Sequence, residues 1–382
     1  MIRPVDVVVV GAGVVGAACA YYAARAGLRV LVVDRGPVAG GTTGAGEGNL
    51  LASDKAPGPE LELILRSLQL WQALGEELGA DAFELEDKGG LVVASTPEGL
   101  NALRELAESQ REHGVVAEDV APGSLPEHEP AIASGLAGGV YYPQDMQLQP
   151  MLAAAYLIRA AVREHGAAFR TATEVTGFIR TRDGRVSGVL TPAGAISCGA
   201  VVNAAGTWAG RVSDLAGAPV PIEPRRGFIL VTEPLPPTIR HKVYAAEYVA
   251  NVASDSSDLQ TSAVVEGTCS GTVLIGASRE RVGFDRTFSL PVLRRLAAQA
   301  VELFPVLADV HAIRAYRGFR PYSPDHLPVV GPDPRAPGLL HACGHEGAGI
   351  GLAPVTGELV AAALTGARPP LDPAPFGPER FV

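Results

Sequence analysis

The sequence has 382 residues, of which 47% are hydrophobic and 19% charged, and its formal net charge is −10 at pH 7. A chain of this length and composition can bury more than one sizeable core, so we expect two domains. The acidic balance argues against nucleic acid or an anionic membrane surface as a partner. Because no apolar run is long enough to span a bilayer, we expect no membrane span.

The four cysteines are Cys19, Cys198, Cys269 and Cys343. They are widely scattered and show no spacing typical of a metal site. We interpret them as buried small hydrophobic residues of a protein in a reducing compartment. The sequence therefore predicts a cytoplasmic protein without a metal centre.

A strand, a glycine-rich turn, a helix and a second strand are predicted at the start of the chain. The β-branched run at residues 5–10 leads into the pattern Gly-x-Gly-x-x-Gly at residues 11–16, and an alanine-rich segment follows. The next apolar run ends at Asp34. Its spacing in sequence from the glycines is that of an acidic residue whose carboxylate accepts a hydrogen bond from a ribose hydroxyl. A lone glycine pattern is weak evidence, but this full context predicts a dinucleotide site with the pyrophosphate at the helix N-terminus.

A second glycine-rich segment follows at residues 40–49, which include five glycines and two threonines. Such a composition excludes a regular element. It suits either a flexible surface loop or a cradle of backbone groups, and the proximity of Asp34 favours the cradle.

The middle of the chain alternates between helical and strand-like periodicity. Helices are predicted at residues 59–78, 97–113, 149–165 and 290–303, and a connecting loop at residues 119–133. Strands are predicted at residues 89–94, 138–143, 173–181, 186–191, 195–197, 201–203, 227–233, 264–265 and 272–277. Trp71 lies on the apolar stripe of its helix and is interpreted as a core residue, whereas Arg225 and Arg226 are left without a function.

These elements predict an α/β protein with a Rossmann-like nucleotide-binding domain and an inserted, mainly antiparallel second domain. The nucleotide-binding domain is expected to comprise residues 1–80, 145–218 and 315–382. The substrate-binding domain is expected to comprise residues 81–144 and 219–314. Such a discontinuous arrangement is common where one domain is inserted into loops of another.

Two later stretches combine strands with small residues. Residues 201–210 repeat the opening theme of an apolar strand that runs into small residues and a helix. Gly318-Phe319-Arg320-Pro321 is followed at residues 339–364 by a strand, a glycine-rich turn and a helix. Small residues after a buried strand allow a ligand or another backbone to approach closely.

Together, the opening motif, residues 40–49, residues 201–210 and the two C-terminal stretches resemble the flavoproteins of the D-amino-acid oxidase type. This family includes sarcosine oxidases, glycine oxidases and hydroxyproline dehydrogenases. The segments Gly44–Asn49, Ser278–Asp285 and Gly344–Gly347 look closest to the branch of D-hydroxyproline dehydrogenases and hydrogen cyanide synthase subunits.

The resemblance implies FAD as the cofactor. The cysteine that attaches the flavin in some sarcosine oxidases has no counterpart near residues 317–320, so non-covalent binding is expected. By the same resemblance, the cofactor-binding residues are Gly11, Ala12, Gly13, Val14, Val15, Gly16, Asp34, Arg35, Thr42, Thr43, Gly46, Glu47, Gly48, Asn49, Val175, Ala205, Gly206, Trp208, Gly344, Gly347, Ala348, Gly349, Ile350 and Gly351.

The resemblance also places Arg320 at the catalytic centre, where its planar guanidinium would pair with a substrate carboxylate. The alternative for Arg320 is a structural salt bridge. His345 is a second candidate, although a packed, hydrogen-bonded histidine is an equally good interpretation. Tyr248 completes the catalytic candidates; Tyr244 and Arg279 are weaker ones.

The activity implied by the resemblance is oxidation of the C–N bond of a small amino acid or secondary amine that carries a carboxylate. The substrate would resemble D-proline, hydroxyproline, glycine or sarcosine, and hydride transfer from Cα to flavin N5 would give an imine and then a keto acid. Two alternatives stay open: a subunit that passes electrons to a partner, and a flavin-binding protein without turnover. Partner subunits or a homo-oligomer are both compatible with the sequence.

Overall fold

A computed structural model of the protein describes residues 5–252 and 254–381. The strands are β1 (Val5–Val10), β2 (Val30–Val33), β3 (Asn49–Leu50), β4 (Gly90–Ala94), β5 (Glu118–Val120), β6 (Gly138–Tyr142), β7 (Met146–Gln147), β8 (Ala168–Arg170), β9 (Gly177–Arg180), β10 (Val186–Thr191), β11 (Gly194–Asn203), β12 (Glu223–Thr232), β13 (Lys242–Ala245), β14 (Gln260–Gly267), β15 (Val273–Arg279), β16 (Ala312–Tyr322), β17 (Val329–Pro332) and β18 (Leu339–Cys343). The helices are α1 (Val14–Arg25), α2 (Pro59–Leu78), α3 (Pro97–Arg111), α4 (Leu125–His128), α5 (Pro150–Arg163), α6 (Ala209–Leu215), α7 (Glu247–Val252), α8 (Leu290–Leu303) and α9 (Gly349–Thr365). Among the described residues, no helix has both the length and the apolar character needed to cross a membrane.

The first sheet has the strand order β17-β18-β11-β1-β2-β8, and β9 and β10 extend it from β11. Its central strand, β1, runs parallel to both β2 and β11. Val7 and Val9 pack into one core, and Val8 and Val10 pack into another on the opposite face. An unbroken valine run suits such a strand because both of its faces are buried.

The second sheet has the strand order β16-β12-β15-β14-β13-β4-β6-β5 and is antiparallel except where β13 pairs with β4. Its edge strand β16 pairs with β12 over a long register that places Arg320 opposite Arg225. Helix α8 packs against this sheet, with Leu296 and Ala300 fully buried.

The predicted fold class is confirmed: a sheet with a parallel, Rossmann-like centre is joined to a mainly antiparallel sheet. The helices predicted at residues 59–78 and 290–303 are α2 and α8 with the same bounds. Trp71 is a core residue, as predicted, and its indole N–H donates to the Ile350 carbonyl at 3.0 Å.

Three local predictions are wrong. The strands expected at residues 195–197 and 201–203 are one strand, β11, because the antiparallel partner β10 lengthens it before it enters the parallel sheet. Residues 119–133 contain part of β5 and all of α4 rather than a plain loop. Cys269 is exposed and Cys198 half-buried, so only Cys19 and Cys343 behave as buried small residues.

The domain boundaries stay a prediction. Residues 312–322 form the edge strand β16 of the second sheet, and the boundary expected at residue 315 falls inside that strand. The C-terminal residues of this strand, including Arg320, therefore belong to the second sheet and lie beside the glycine turn before α9.

Candidate functional site

A cavity of about 620 Å³ is lined by elements of both sheets, which is within the size range of small-molecule and cofactor sites. Most of the predicted site residues line it: Gly11, Gly13, Val14, Val15, Asp34, Arg35, Thr42, Thr43, Gly46, Glu47, Asn49, Val175, Ala205, Gly206, Trp208, Tyr248, Arg320, His345, Gly347, Gly349 and Ile350. Six predicted cofactor residues are not among its lining residues: Ala12, Gly16, Gly48, Gly344, Ala348 and Gly351.

At one end of the cavity, the glycine turn allows α1 to begin directly after β1. A Cβ atom on Gly11 would lie 2.3 Å from the carbonyl oxygen of Ala204, and a Cβ atom on Gly16 would lie 2.0 Å from that of Gly11. Gly11 also has φ +115°, which a residue with a side chain rarely adopts. Gly16 therefore packs the helix against the turn and does not itself face the cavity.

The Asp34 carboxylate is oriented by the backbone of the same turn. Its two oxygens each accept a backbone N–H at 2.7 Å, Oδ2 from Ala12 and Oδ1 from Gly36. Each carboxylate oxygen has a second acceptor site, so Asp34 can still accept a ribose hydroxyl. Ala12 thus acts on the cavity through Asp34 rather than by lining it.

One backbone carbonyl joins three distant segments beside the cavity. The oxygen of Phe319 accepts the hydroxyl of Thr42 at 2.7 Å and the hydroxyl of Thr207 at 2.8 Å. The two threonine oxygens are themselves 3.1 Å apart. The glycine-rich segment, the turn after β11 and the end of β16 are therefore held together immediately before Arg320.

An aromatic stack closes the cavity wall on the side of α6. Phe284 stacks on the Trp208 ring with centroids 5.4 Å apart and packs against Phe319 at 5.5 Å. The Arg211 guanidinium lies 4.8 Å from the Phe284 ring, and that of Arg35 lies 4.2 Å from the Trp208 ring. Phe284 thus contacts two lining residues of the cavity, Trp208 in the turn after β11 and Phe319 in β16.

Arg226 fixes the loop that carries Phe284. Its Nε donates to Glu280 Oε1 at 2.9 Å, and its Nη1 donates to Asp285 Oδ2 at 2.6 Å. Both arginines that the sequence left unassigned are buried, Arg225 at 1% and Arg226 at 6% exposure. Sequence reasoning missed them because a pair of adjacent arginines in a strand resembles a solvated surface pair.

Arg320 lines the cavity at the end beside the turn before α9. Its Nη1 donates to the Ser278 carbonyl at 2.8 Å. A Cβ atom on Gly227 of the neighbouring strand would lie 2.3 Å from the same Nη1, so the guanidinium needs a glycine there. Burial lowers the pKa of Arg320, and the nearby guanidiniums of Arg279 and Arg225 lower it further. An anionic ligand at this end of the cavity would relieve the repulsion among these guanidiniums.

His345 and Tyr248 lie at the same end. Burial lowers the pKa of His345 to about 3, so the ring is neutral near pH 7, and its Nε2 lies 2.9 Å from Thr356 Oγ1. This arrangement matches the packed, hydrogen-bonded histidine that the sequence left open. Tyr248 is 8% exposed and packs edge-on against Tyr244.

A buried charge cluster lies behind the second glycine-rich segment. Lys242 Nζ is 2.8 Å from Glu266 Oε2 and 3.8 Å from Glu47 Oε1. The Gly48 N–H donates to the Glu266 carboxylate at 3.3 Å. Lys242 and Glu266 have no sequence signal because each is a single charged residue in an apolar strand.

The last predicted segment forms the turn and first residues of α9. Gly347, Gly349 and Ile350 line the cavity there. A helix N-terminus favours negative charge beside it. Gly351 faces away, and its carbonyl oxygen accepts the Ser67 hydroxyl at 2.6 Å.

The fold and the cavity define a flavoprotein oxidoreductase, and comparison with known proteins agrees. Residues 6–363 match the family of FAD dependent oxidoreductases designated DAO, and the chain belongs to that family. Its cofactor is FAD. Three features fit the nucleotide half of that cofactor: the glycine turn, which has no room for a Cβ atom at Gly11 or Gly16, the oriented Asp34 carboxylate and the N-terminus of α1.

Among its relatives, the chain is 32% identical to hydrogen cyanide synthase subunit HcnC of Pseudomonas aeruginosa, over 100% of this chain and 97% of the relative. It is 31% identical to glycine oxidase of Pseudomonas putida, with 98% of each chain covered. The solved structure of glycine oxidase from Geobacillus kaustophilus superimposes with a TM-score of 0.89 at 30% identity, covering 99% of each chain. L-proline dehydrogenase from P. horikoshii gives 0.90 at 26% identity, covering 100% of this chain and 98% of the other.

The aromatic stack generates a prediction about cofactor binding. Phe284→Ala should raise the dissociation constant of FAD about tenfold, because Trp208 and Phe319, which line the cavity, lose the ring that packs against both, at a cost of about 1.4 kcal/mol of binding energy. The measurement is quenching of tryptophan fluorescence as FAD is added to the apoprotein, since Trp208 lines the cavity.

Phe288→Ala is the matched control. This aromatic residue lies in the same loop, is 48% exposed and contacts Phe228 rather than Trp208. If the two variants bind FAD equally well, the stack does not hold the cofactor.

Proposed function

We propose that the chain catalyses FAD-dependent oxidation of the C–N bond of a small amino acid or secondary amine. The substrate carries a carboxylate and resembles D-proline, hydroxyproline, glycine or sarcosine; the product is an imine, which hydrolyses to a keto acid. The observation that carries this proposal is the half-buried Arg320 guanidinium, which lines the cavity beside the turn before α9.

Arg320 binds the substrate carboxylate in this proposal. A guanidinium offers paired N–H donors that match the two carboxylate oxygens, which fixes the orientation of the substrate as well as its position. FAD, when bound, supplies the two-electron acceptor. The protein's contribution is to hold the Cα–H bond towards that acceptor and to exclude water, so positioning accounts for most of the rate enhancement.

The remaining site residues have supporting roles. Tyr248 packs beside Arg279 at 5.1 Å and forms part of the wall that confines a small substrate. Neutral His345 braces the glycine turn through Thr356 and does not exchange protons near pH 7. The N-terminus of α9 stabilises negative charge at the reactive end of the cavity.

The relatives support this class of reaction and leave the electron acceptor open. Glycine oxidases are oxidases by name, whereas hydrogen cyanide synthase subunit HcnC is named as a subunit. An acceptor protein is therefore the second candidate for the oxidising partner. A flavin-binding role without turnover is disfavoured, because Arg320 lines the cavity near the guanidiniums of Arg279 and Arg225, where an anionic ligand would relieve their mutual repulsion.

We further propose non-covalent FAD and a cytoplasmic location. Cys343 is the only cysteine among the described residues that line the cavity. It belongs to an apolar cluster with Val220 and Ile222, and burial raises the pKa of its thiol to about 12, which makes it a poor nucleophile. All four cysteines are free thiols, as expected in a reducing compartment.

An anaerobic spectral screen tests the proposed function. The purified protein should be yellow, and D-proline, hydroxyproline, glycine or sarcosine should bleach its visible absorption in the absence of oxygen. Hydrogen peroxide on admission of air identifies an oxidase, and slow reoxidation identifies a dehydrogenase. A colourless protein that binds NADH, or a yellow protein that dithionite bleaches and no amino acid does, would contradict the proposal.

Replacement of Arg320 tests the carboxylate clamp. Arg320→Met should raise the substrate concentration needed for half-maximal bleaching about 100-fold, because a buried charged pair is lost at a cost of about 3 kcal/mol. Arg314→Met is the control, since Arg314 is an exposed residue on the same strand. Equal behaviour of the two variants, at equal FAD content, would mean that Arg320 does not bind substrate.

A further inference from the structure

A chain of hydrogen bonds leads from the cavity to the protein surface. Glu346 lines the cavity, and its Oε1 lies 2.8 Å from Nδ1 of His326. The other ring nitrogen of His326, Nε2, lies 3.0 Å from Asp255 Oδ1. Exposure of the side chains rises along this chain from 11% to 26% to 80%. A carboxylate, an imidazole and a second carboxylate therefore connect the cavity with solvent.

The inner carboxylate lies at the reactive end of the cavity. The Glu346 N–H donates to the Pro321 carbonyl at 3.1 Å, which fixes Glu346 next to the residue that follows Arg320. Its second oxygen accepts Nη1 of Arg225 at 3.3 Å, and Arg225 is the cross-strand partner of Arg320. The same end of the cavity thus offers a cation for a carboxylate and an anion for an ammonium group.

The proposed reaction requires a proton to leave the substrate. An amino acid is an ammonium ion near neutral pH, and its nitrogen has no free electron pair. The nitrogen must lose one N–H proton before its electron pair can form the C=N bond. When bound cofactor and substrate displace water from the cavity, no bulk solvent is in contact with the nitrogen to take that proton.

We propose that Glu346 accepts the ammonium proton of the substrate and that His326 passes it to Asp255 and the solvent. The substrate N–H bond breaks and an O–H bond forms on Glu346. That proton then moves to Nδ1 of His326, while the proton on Nε2 leaves to Asp255 and to water. No electrons are exchanged along this path. The inference rests on the amine oxidation proposed above and assigns its proton route.

The charges that face His326 favour a proton on the ring. The hydrogen bond with Glu346 raises the pKa of His326 above its ordinary value against the opposing effect of partial burial, and Asp255 raises it further. The Tyr322 ring packs edge-on at 5.5 Å. The guanidinium of Arg281 lies 4.6 Å from that ring and donates to the Asp255 carbonyl at 3.0 Å.

Two further charged groups near the ring are already engaged. Arg225 lies 5.5 Å from the Tyr322 ring and pairs with Glu346. Asp325, the neighbour of His326 in sequence, pairs with Arg380. His326 can accept a proton from Glu346 only when Nδ1 is unprotonated. The relay is therefore active above the pKa of His326 and inactive below it.

The test is the pH dependence of anaerobic bleaching in the holoenzyme. In the natural protein, the limiting rate of bleaching by the best amino acid should rise with pH through the pKa of His326. His326→Gln should lower that limiting rate about tenfold at pH values above the pKa of His326 and remove this step from the profile, with a smaller effect on the concentration for half-maximal bleaching. Asp255→Asn should have a weaker effect, because water can replace an exposed carboxylate.

His311→Gln is the matched control. His311 also has its Nδ1 3.0 Å from a carboxylate, that of Glu233, but its side chain is 84% exposed and away from the cavity. The pH profile of bleaching in His311→Gln should match that of the natural protein. An unchanged profile in His326→Gln, with normal bleaching, overturns the relay and leaves the proposed function intact.

A second measurement does not depend on turnover. Nitrogen-15 NMR of histidine in the holoenzyme should show the pKa of His326 falling in Glu346→Gln, since the neutral amide no longer favours the protonated ring. If the pKa of His326 is the same in Glu346→Gln as in the natural protein, the two side chains do not interact and the relay is overturned. If no amino acid bleaches a flavin that dithionite does bleach, the proposed function fails, and the relay's catalytic role fails with it.

Discussion

The geometry of the site depends on the carbonyl oxygen of Phe319. It accepts hydroxyl hydrogen bonds from Thr42 and Thr207, and so ties together the glycine-rich segment, the turn after β11 and the end of β16. The next residue is Arg320. A displacement of this carbonyl would move the Arg320 guanidinium relative to the glycine turn at residues 11–16. Where catalysis depends on positioning, such a displacement lowers the rate of the reaction.

Charged groups of both signs lie close together at the reactive end of the cavity. Arg320, Arg225 and Arg279 repel one another, and Glu346 compensates part of that charge through its contact with Arg225. Buried ions are costly unless they are paired. The Arg320 guanidinium suits a carboxylate ligand, and the Glu346 carboxylate suits the ammonium group of the same molecule. An amino acid carries both groups a short distance apart.

Most residues predicted for the nucleotide half of the site line the cavity, and the sequence could bring them together because their constraints are local. The turn at residues 11–16 and Asp34 act through backbone geometry within one β-α-β unit, where spacing determines position. Helix α2 could be delimited for a similar reason, since its apolar periodicity lies within one segment. Val175 required the resemblance to a known family, as its own sequence context carries no signal.

The second sheet and the charged clusters could not be predicted in the same way. Strand β16 pairs with β12 across a separation of about 90 residues, so its register follows from tertiary packing rather than local pattern. The partners of Arg226 and the contact of His326 with Glu346 and Asp255 also join distant segments. Such contacts are visible only once the chain is folded.

The central claim is that FAD and a substrate carboxylate meet at Arg320. The most direct measurement is a crystal structure of the holoprotein with a carboxylate that lacks an amino group, such as cyclopentanecarboxylate. The account predicts FAD along the cavity with its ribose at Asp34, and the carboxylate paired with the Arg320 guanidinium beside the flavin ring. A carboxylate bound elsewhere, with Arg320 held only by protein groups, would contradict it.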